Sequence, residues 1–182
     1  MAKSYKEDFI AAQQRLAHNP AEALSTIRVE TVQARGLASE ARLRDFRLVL
    51  DEPEAFGGSD RGPSPVELVL AALGAAQEIT YRLYADTLGI PLRSVSVRLE
   101  GRIDHRGFFA VKDGVRPGFR DVRAVVAIDS PASAEDIDRL KATVDRHCPV
   151  LDILRNVTPV QVGVQQTNSA LAPAAAPAGR AA

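Results

Sequence analysis

The 182-residue sequence holds a single cysteine, Cys148. One thiol cannot close an intramolecular disulfide or build a cysteine-rich zinc site, so a disulfide scaffold is excluded. Cys148 is left to packing, to chemistry of its own, or to pairing with another molecule. A surplus of one charge is missing too, since 23 Lys and Arg balance 23 Asp and Glu. Affinity for phosphate backbones needs clustered excess cations, so nucleic acid is not expected as a partner. No apolar run approaches the roughly 18 residues that a membrane span requires, and Lys3, Lys6, Glu7 and Asp8 charge the start where a signal peptide would be apolar. The expectation is one compact cytoplasmic domain with no membrane partner.

Most catalytic constellations are absent as well. His18, His105 and His147 are widely spaced and form no H-E-x-x-H pair, so no metal site is expected. Neither a phosphate-binding G-x-x-x-x-G-K-[ST] loop nor a G-x-G-x-x-G turn occurs, and no cofactor is expected. Gly57-Gly58-Ser59-Asp60-Arg61 does not complete the G-x-S-x-G of a serine hydrolase.

What is present reads as alternating helical and strand periods. Tyr5, Phe9, Ile10 and Leu16 fall near one face of an N-terminal amphipathic helix within residues 1–25. Ile27, Val29 and Thr31 alternate with charged neighbours over Thr26 to Arg35, and Phe46, Leu48 and Leu50 repeat that period, predicting two strands paired antiparallel across a Gly36-containing connection. The Pro- and Gly-rich stretch Asp51 to Pro65 then leads into a helix. Ser64, Pro65 and Glu67 form its S-x-x-E start, with Pro at the first helical position, and the helix is expected to run to about Thr87, with Gly89 near its end. Its first half, Leu68 to Ala76, is apolar on every side, which predicts a buried central helix.

Two more strands follow around Val95 to Leu99 and Val122 to Ile128, then a Ser133-capped helix to His147, a short helix from Pro149 to Arg155, and a last strand through Val160, Val162 and Val164. The Ala/Pro-rich tail, within residues 166–182, reads as disordered. Strand pairs separated by helices, without regular βα alternation, predict an α+β domain over residues 26–165. One small sheet can scarcely enclose a helix, so cover by a second subunit and burial within one chain both stay open.

Four features carry candidate chemistry or contacts. Cys148 lies between two predicted helices; it is either a buried small hydrophobe or, as the cap of the following helix, a thiol whose thiolate is stabilised by N–H groups and the dipole. Glu67 is either a capping carboxylate or an acid at the mouth of the apolar helix. Glu78 and Arg82, at i,i+4, read as an ion pair on a solvated edge. Phe108, Phe109 and Phe119 read as core, interface or the wall of an apolar pocket.

The run Asp51-Glu52-Pro53, Gly57-Gly58, Asp60, Gly62 to Leu68, Ala71 to Ala75 and Gln77-Glu78-Ile79, followed by His147-Cys148-Pro149-Val150, resembles the OsmC-like family, which includes organic hydroperoxide reductases. The resemblance spans about Thr26 to Val164. It implies an intertwined homodimer, with antiparallel sheets around a central helix and sites at the subunit interface. It also implies a two-cysteine cycle, in which a peroxidatic thiol becomes a sulfenic acid, a second cysteine resolves it, and a dithiol reduces the disulfide. Cys148 matches the resolving position. Ala76 occupies the position of the peroxidatic cysteine, so this polypeptide is expected to be inactive in that cycle. The family's arginine-orienting acid falls at Val66, with Glu67 one residue on, and Arg35, Arg42, Arg44 and Arg47 are candidates for the arginine. Ala76 reads either as an engineered replacement in a peroxidase acting on small organic hydroperoxides or as a natural loss. In the second case a non-catalytic dimer binding an apolar ligand remains. A lone Cys148 resolved by an external thiol is the third option.

Overall fold

The computed structural model describes residues 5–166. In chain order it contains α1 (Lys6–His18), β1 (Glu30–Gln33), β2 (Ser39–Leu43), β3 (Phe46–Leu50), α2 (Pro65–Leu88), β4 (Ser94–Ile103), the single turn α3 (His105–Phe108), β5 (Phe119–Asp129), α4 (Ala134–His147) and α5 (Pro149–Arg155). The α+β class is met. The strands form two separate antiparallel sheets, one ordered β1-β2-β3 and one a ribbon of β4 and β5.

The first sheet differs from the expected two-strand hairpin. β1 is shorter than Thr26 to Arg35, and it pairs with β2, not with β3, in the register Thr31 opposite Ala41. β2 went unread because Ser39, Glu40, Ala41, Arg42 and Leu43 show no apolar alternation; β3 on its other side, with Leu48 opposite Ala41, holds it in place.

The second sheet carries the core. Val95, Val97 and Leu99 of β4 lie opposite Ile128, Val126 and Ala124 of β5. α2 packs against β4 and against α4 and α5, and Val95, Val126 and Ile128 of the inner face pack on the cluster these helices form. The buried cluster is Tyr81, Ala85, Ile90, Leu140, Val144 and Cys148. α1 closes one end, with the Phe9 ring edge-on to Tyr84 at 5.2 Å.

Central burial of α2 is only half met within the chain. Leu73, Gly74, Gln77, Thr80, Tyr81 and Ala85 are buried, but Ile79 is 61% exposed and Val66, Val69, Ala72 and Ala75 also face outward. A helix laid on a two-stranded ribbon can cover only the stripe that meets it.

The expected last strand is not found. Val160, Val162 and Val164 are exposed and belong to no strand among the described residues. Of the expected disordered tail, residues 167–182 lie outside the described residues. Among the described residues, no helix is long and apolar enough to cross a membrane.

Candidate functional site

The site is positioned by the start of α2 and the junction of α4 with α5. Before α2, the buried carboxylate of Asp51 gathers the irregular segment. It accepts from the backbone N–H groups of Glu52 (2.9 Å), Ser59 (3.1 Å) and Arg61 (3.3 Å). Burial pushes this carboxyl up, but the three N–H donors and the Arg61 charge outweigh it and hold it below the ordinary carboxylate range. Gly58 permits the tight path, since a Cβ there would lie 1.7 Å from the Glu52 carbonyl oxygen.

The helix then opens as the sequence predicts. The Ser64 N–H and hydroxyl both donate to Glu67 Oε2 at 2.8 Å, and the Glu67 N–H donates to Ser64 Oγ at 3.4 Å. Those bonds, the one from the Ser64 backbone foremost, lower the Glu67 carboxyl. Glu67 forms no ion pair among the described residues, and Arg35, Arg42, Arg44 and Arg47 are not brought to it. Arg47 instead approaches Glu40 at 3.7 Å, and the Arg44 guanidinium lies 5.1 Å from the centre of the Phe46 ring.

Farther along α2, Ala76 is half-buried and packs against the cluster that contains Cys148. Its carbonyl accepts from the Thr80 hydroxyl at 2.6 Å. Cys148 ends α4 and is the N-cap of α5, as the sequence suggested. Its N–H donates to the Val144 carbonyl at 2.9 Å, and its own carbonyl accepts from the Asp152 N–H at 3.0 Å. The thiol makes no capping hydrogen bond and is 1% exposed, so it packs as a small apolar group.

Tyr81 forms the floor beside it. Burial, and secondarily the negative charge of Asp145, push its hydroxyl up to about 12, so it is neutral at physiological pH. The His147 ring stacks on Tyr84 at 5.2 Å and does not enter the cluster.

One pairing read from sequence does not form. Arg82 does not bind Glu78; its guanidinium donates to the backbone carbonyls of Leu92 and Arg93, fastening α2 to the entry of β4. The phenylalanines are split into two places. Phe108 and Phe109 meet edge-on at 5.1 Å, with Phe109 also 5.7 Å from Phe56, while Phe119 lies against Gly101 and lines an open pocket with Leu73 and Val122, as one of its readings allowed.

Gln77 is the residue that pattern reading passed over. It is buried next to Ala76, and its amide nitrogen has no hydrogen-bond partner among the described residues. The available signal was a polar residue following directly on the apolar run Leu68 to Ala76.

The arrangement packs the Ala76 methyl against a buried cluster that contains one enclosed thiol, Cys148. It can enclose an apolar group, and it holds no pair of thiols that could cycle.

Comparison with known proteins places the chain in context. The family model described as OsmC-like protein matches residues 57–163. A search of curated proteins found no match. Among solved structures, an OsmC-like protein from Mycoplasma pneumoniae is 22% identical, with a TM-score of 0.64 over 73% of this chain and 89% of that one. An organic hydroperoxide resistance protein OsmC from Legionella pneumophila is also 22% identical, with a TM-score of 0.56 over 72% and 90%. An organic hydroperoxide resistance protein from Elizabethkingia anophelis is 19% identical, with a TM-score of 0.56 over 72% and 89%. At these identities the likeness is one of fold.

Proposed function

Because the chain belongs to the OsmC-like family, we propose that it carries the scaffold of thiol-dependent organic hydroperoxide reduction but not the two-thiol cycle. The supporting observation is that Ala76 packs against the buried cluster containing Cys148. In the cycle, a thiolate at position 76 would attack the distal oxygen of R–OOH. The O–O bond breaks, the alkoxide leaves as ROH after taking a proton, and the sulfur becomes S–OH. Cys148 would then displace water from that sulfur to give a disulfide, which an external dithiol reduces at the expense of its own oxidation. Alanine offers no electron pair for the first step. In this reading Cys148 is the resolving residue, Ala76 marks the peroxidatic position, and any part for Glu67 beyond its cap rests on the resemblance alone.

The same reading includes a homodimer. It is supported by the apolar residues that one chain leaves uncovered at Ile79 of α2, on β1 and β3, and along Val157 to Val164.

The test is Ala76→Cys, treated with cumene hydroperoxide and then with dithiothreitol. The expected result is a disulfide between the introduced thiol and Cys148, seen as a cross-linked peptide by mass spectrometry, with hydroperoxide consumed over many turnovers; the unsubstituted chain consumes none. Absence of both disulfide and turnover in a folded variant would overturn the peroxidase ancestry of the site.

A second reading, a non-catalytic module that binds a small molecule, is favoured by one observation: the unpartnered amide of Gln77 buried beside Ala76.

A further inference from the structure

An open trough of about 630 Å³ runs between α2, the inner face of β5 and helices α4 and α5, a size typical of small-molecule sites. Val69 and Leu73 of α2 and Leu151 and Leu154 of α5 give it apolar walls. Its charges are unequal. Arg116, Arg120, Lys141 and Arg155 line it, against Asp121 and Asp145.

Both carboxylates are already engaged. Lys141 Nζ lies 2.7 Å from Asp145, and Arg102, from outside the trough, holds Asp121 at 2.6 Å. Arg116, Arg120 and Arg155 form no ion pair among the described residues. Arg120 also acts on Asp121 and Asp104, whose carboxyls it helps to lower, so Arg116 and Arg155 are the guanidiniums of this cationic rim that meet no carboxylate among the described residues.

A second, independent observation lies deeper. Gln77 lines the trough, is 5% exposed, and has an amide nitrogen without an acceptor among the described residues. A buried N–H donor left unpaired is costly, and native proteins seldom tolerate one without a partner such as a ligand or water. Gln77 shares its helix face with Leu73 and Tyr81, four residues to either side, so the donor sits amid otherwise apolar or aromatic lining.

We propose that this trough binds an amphipathic carboxylate, its hydrocarbon chain along the α2 and α5 walls, its negative charge drawn to the rim arginines, and an oxygen accepting from Gln77. This deepens the binding-module reading and rests on it. The occupant is chosen by charge: an uncharged chain would leave the arginines unanswered, and a cationic amphiphile would be repelled.

The experiment titrates the full chain, below micellar concentrations, with dodecanoate, dodecanol and dodecyltrimethylammonium, reading heat of binding and amide chemical shifts. Dodecanoate is expected to bind at least about tenfold more tightly than either of the others. Arg120→Glu is expected to weaken dodecanoate by about tenfold and to narrow its advantage over dodecanol. Gln77→Leu, close in volume, is expected to weaken it by at least about threefold while circular dichroism shows an unchanged fold.

Equal binding of all three probes would overturn the anionic assignment while leaving a binding module standing. Affinity for dodecanoate unmoved by both substitutions would overturn the proposed location. No binding of any probe, with the trough amides protected from exchange only as protein concentration rises, would overturn both readings in favour of a second copy covering the trough. The unsubstituted Ala76 chain is used throughout, so the outcome is independent of the disulfide experiment.

Discussion

The helical body and the three-stranded sheet are built from similar shares of apolar residues but reach different ends. In the body, α2, α4 and α5 bring Tyr81, Ala85, Leu140, Val144 and Cys148 to nearly complete burial against the β4–β5 ribbon. In the sheet, Ala41 and Leu50 are buried, while Val32 is 60% and Phe46 is 63% exposed. The difference is geometric. Helices approach a sheet face from several directions and close a core within one chain, whereas a small sheet with no helix packed across it keeps much of its apolar surface open. Its edge strand β1 also leaves backbone groups unpaired on one side. The body closes a core within one chain, and the sheet leaves more of its apolar surface uncovered.

The comparison can be broken at three points. The largest effect belongs to the body: Leu140→Ala, at a fully buried position, is expected to cost about 2–5 kcal/mol, read as a lower urea midpoint. A loss near zero would mean that the cluster is not the core. The next concerns the sheet, where Val32→Asp on a surface strand should alter the stability of a lone chain by no more than about 0.5 kcal/mol. With the proposed homodimer, the expected outcome is instead that the molar mass measured by light scattering falls from two chains to one. An unchanged mass would show that this sheet is not covered by a second copy.

The third point is the start of α2, between the two regions. Ser64→Ala removes the α2 cap and is expected to cost about 1 kcal/mol. Glu67, the other half of the capping box, has a lowered carboxyl in the folded chain. Its contribution is therefore present above the unfolded-state value near pH 4.3 and is lost as pH falls through the lowered folded-state value. Urea midpoints of Glu67→Gln and of the parent chain should accordingly differ at pH 7 and converge in acid. A difference that persists at low pH would show that the carboxylate charge is not what the box uses.

What could be read from the chain follows the range of the forces involved. The α2 start was legible because Ser64, Pro65 and Glu67 act within three residues, and the α4 start because Ser133 accepts from the Asp136 N–H in the same way. β2 was not legible, since its place is decided by strands on both sides and not by its own Ser39-to-Leu43 pattern. Glu78 and Arg82 met the spacing for a local pair, yet two carbonyls at the end of the next loop took the guanidinium. Val160, Val162 and Val164 alternate as a strand should, but alternation names a tendency and pairing needs a neighbour.

At the site, the sequence isolated Ala76 and Cys148 by their motifs and placed Cys148 at a helix junction. It left open whether the thiol would cap or pack, and packing against Tyr81, Leu140 and Val144 answered that. Gln77 and the rim arginines had no local signature, because Arg116, Arg120 and Arg155 meet α2 only through the fold.

By itself, the sequence determined the α+β class, the helix starts and the absence of a second thiol, because composition and capping act over a few residues. The tertiary structure alone decided which apolar faces find cover, which charges stay unanswered and which buried amide lacks a partner. Those depend on residues far apart in the chain meeting in space.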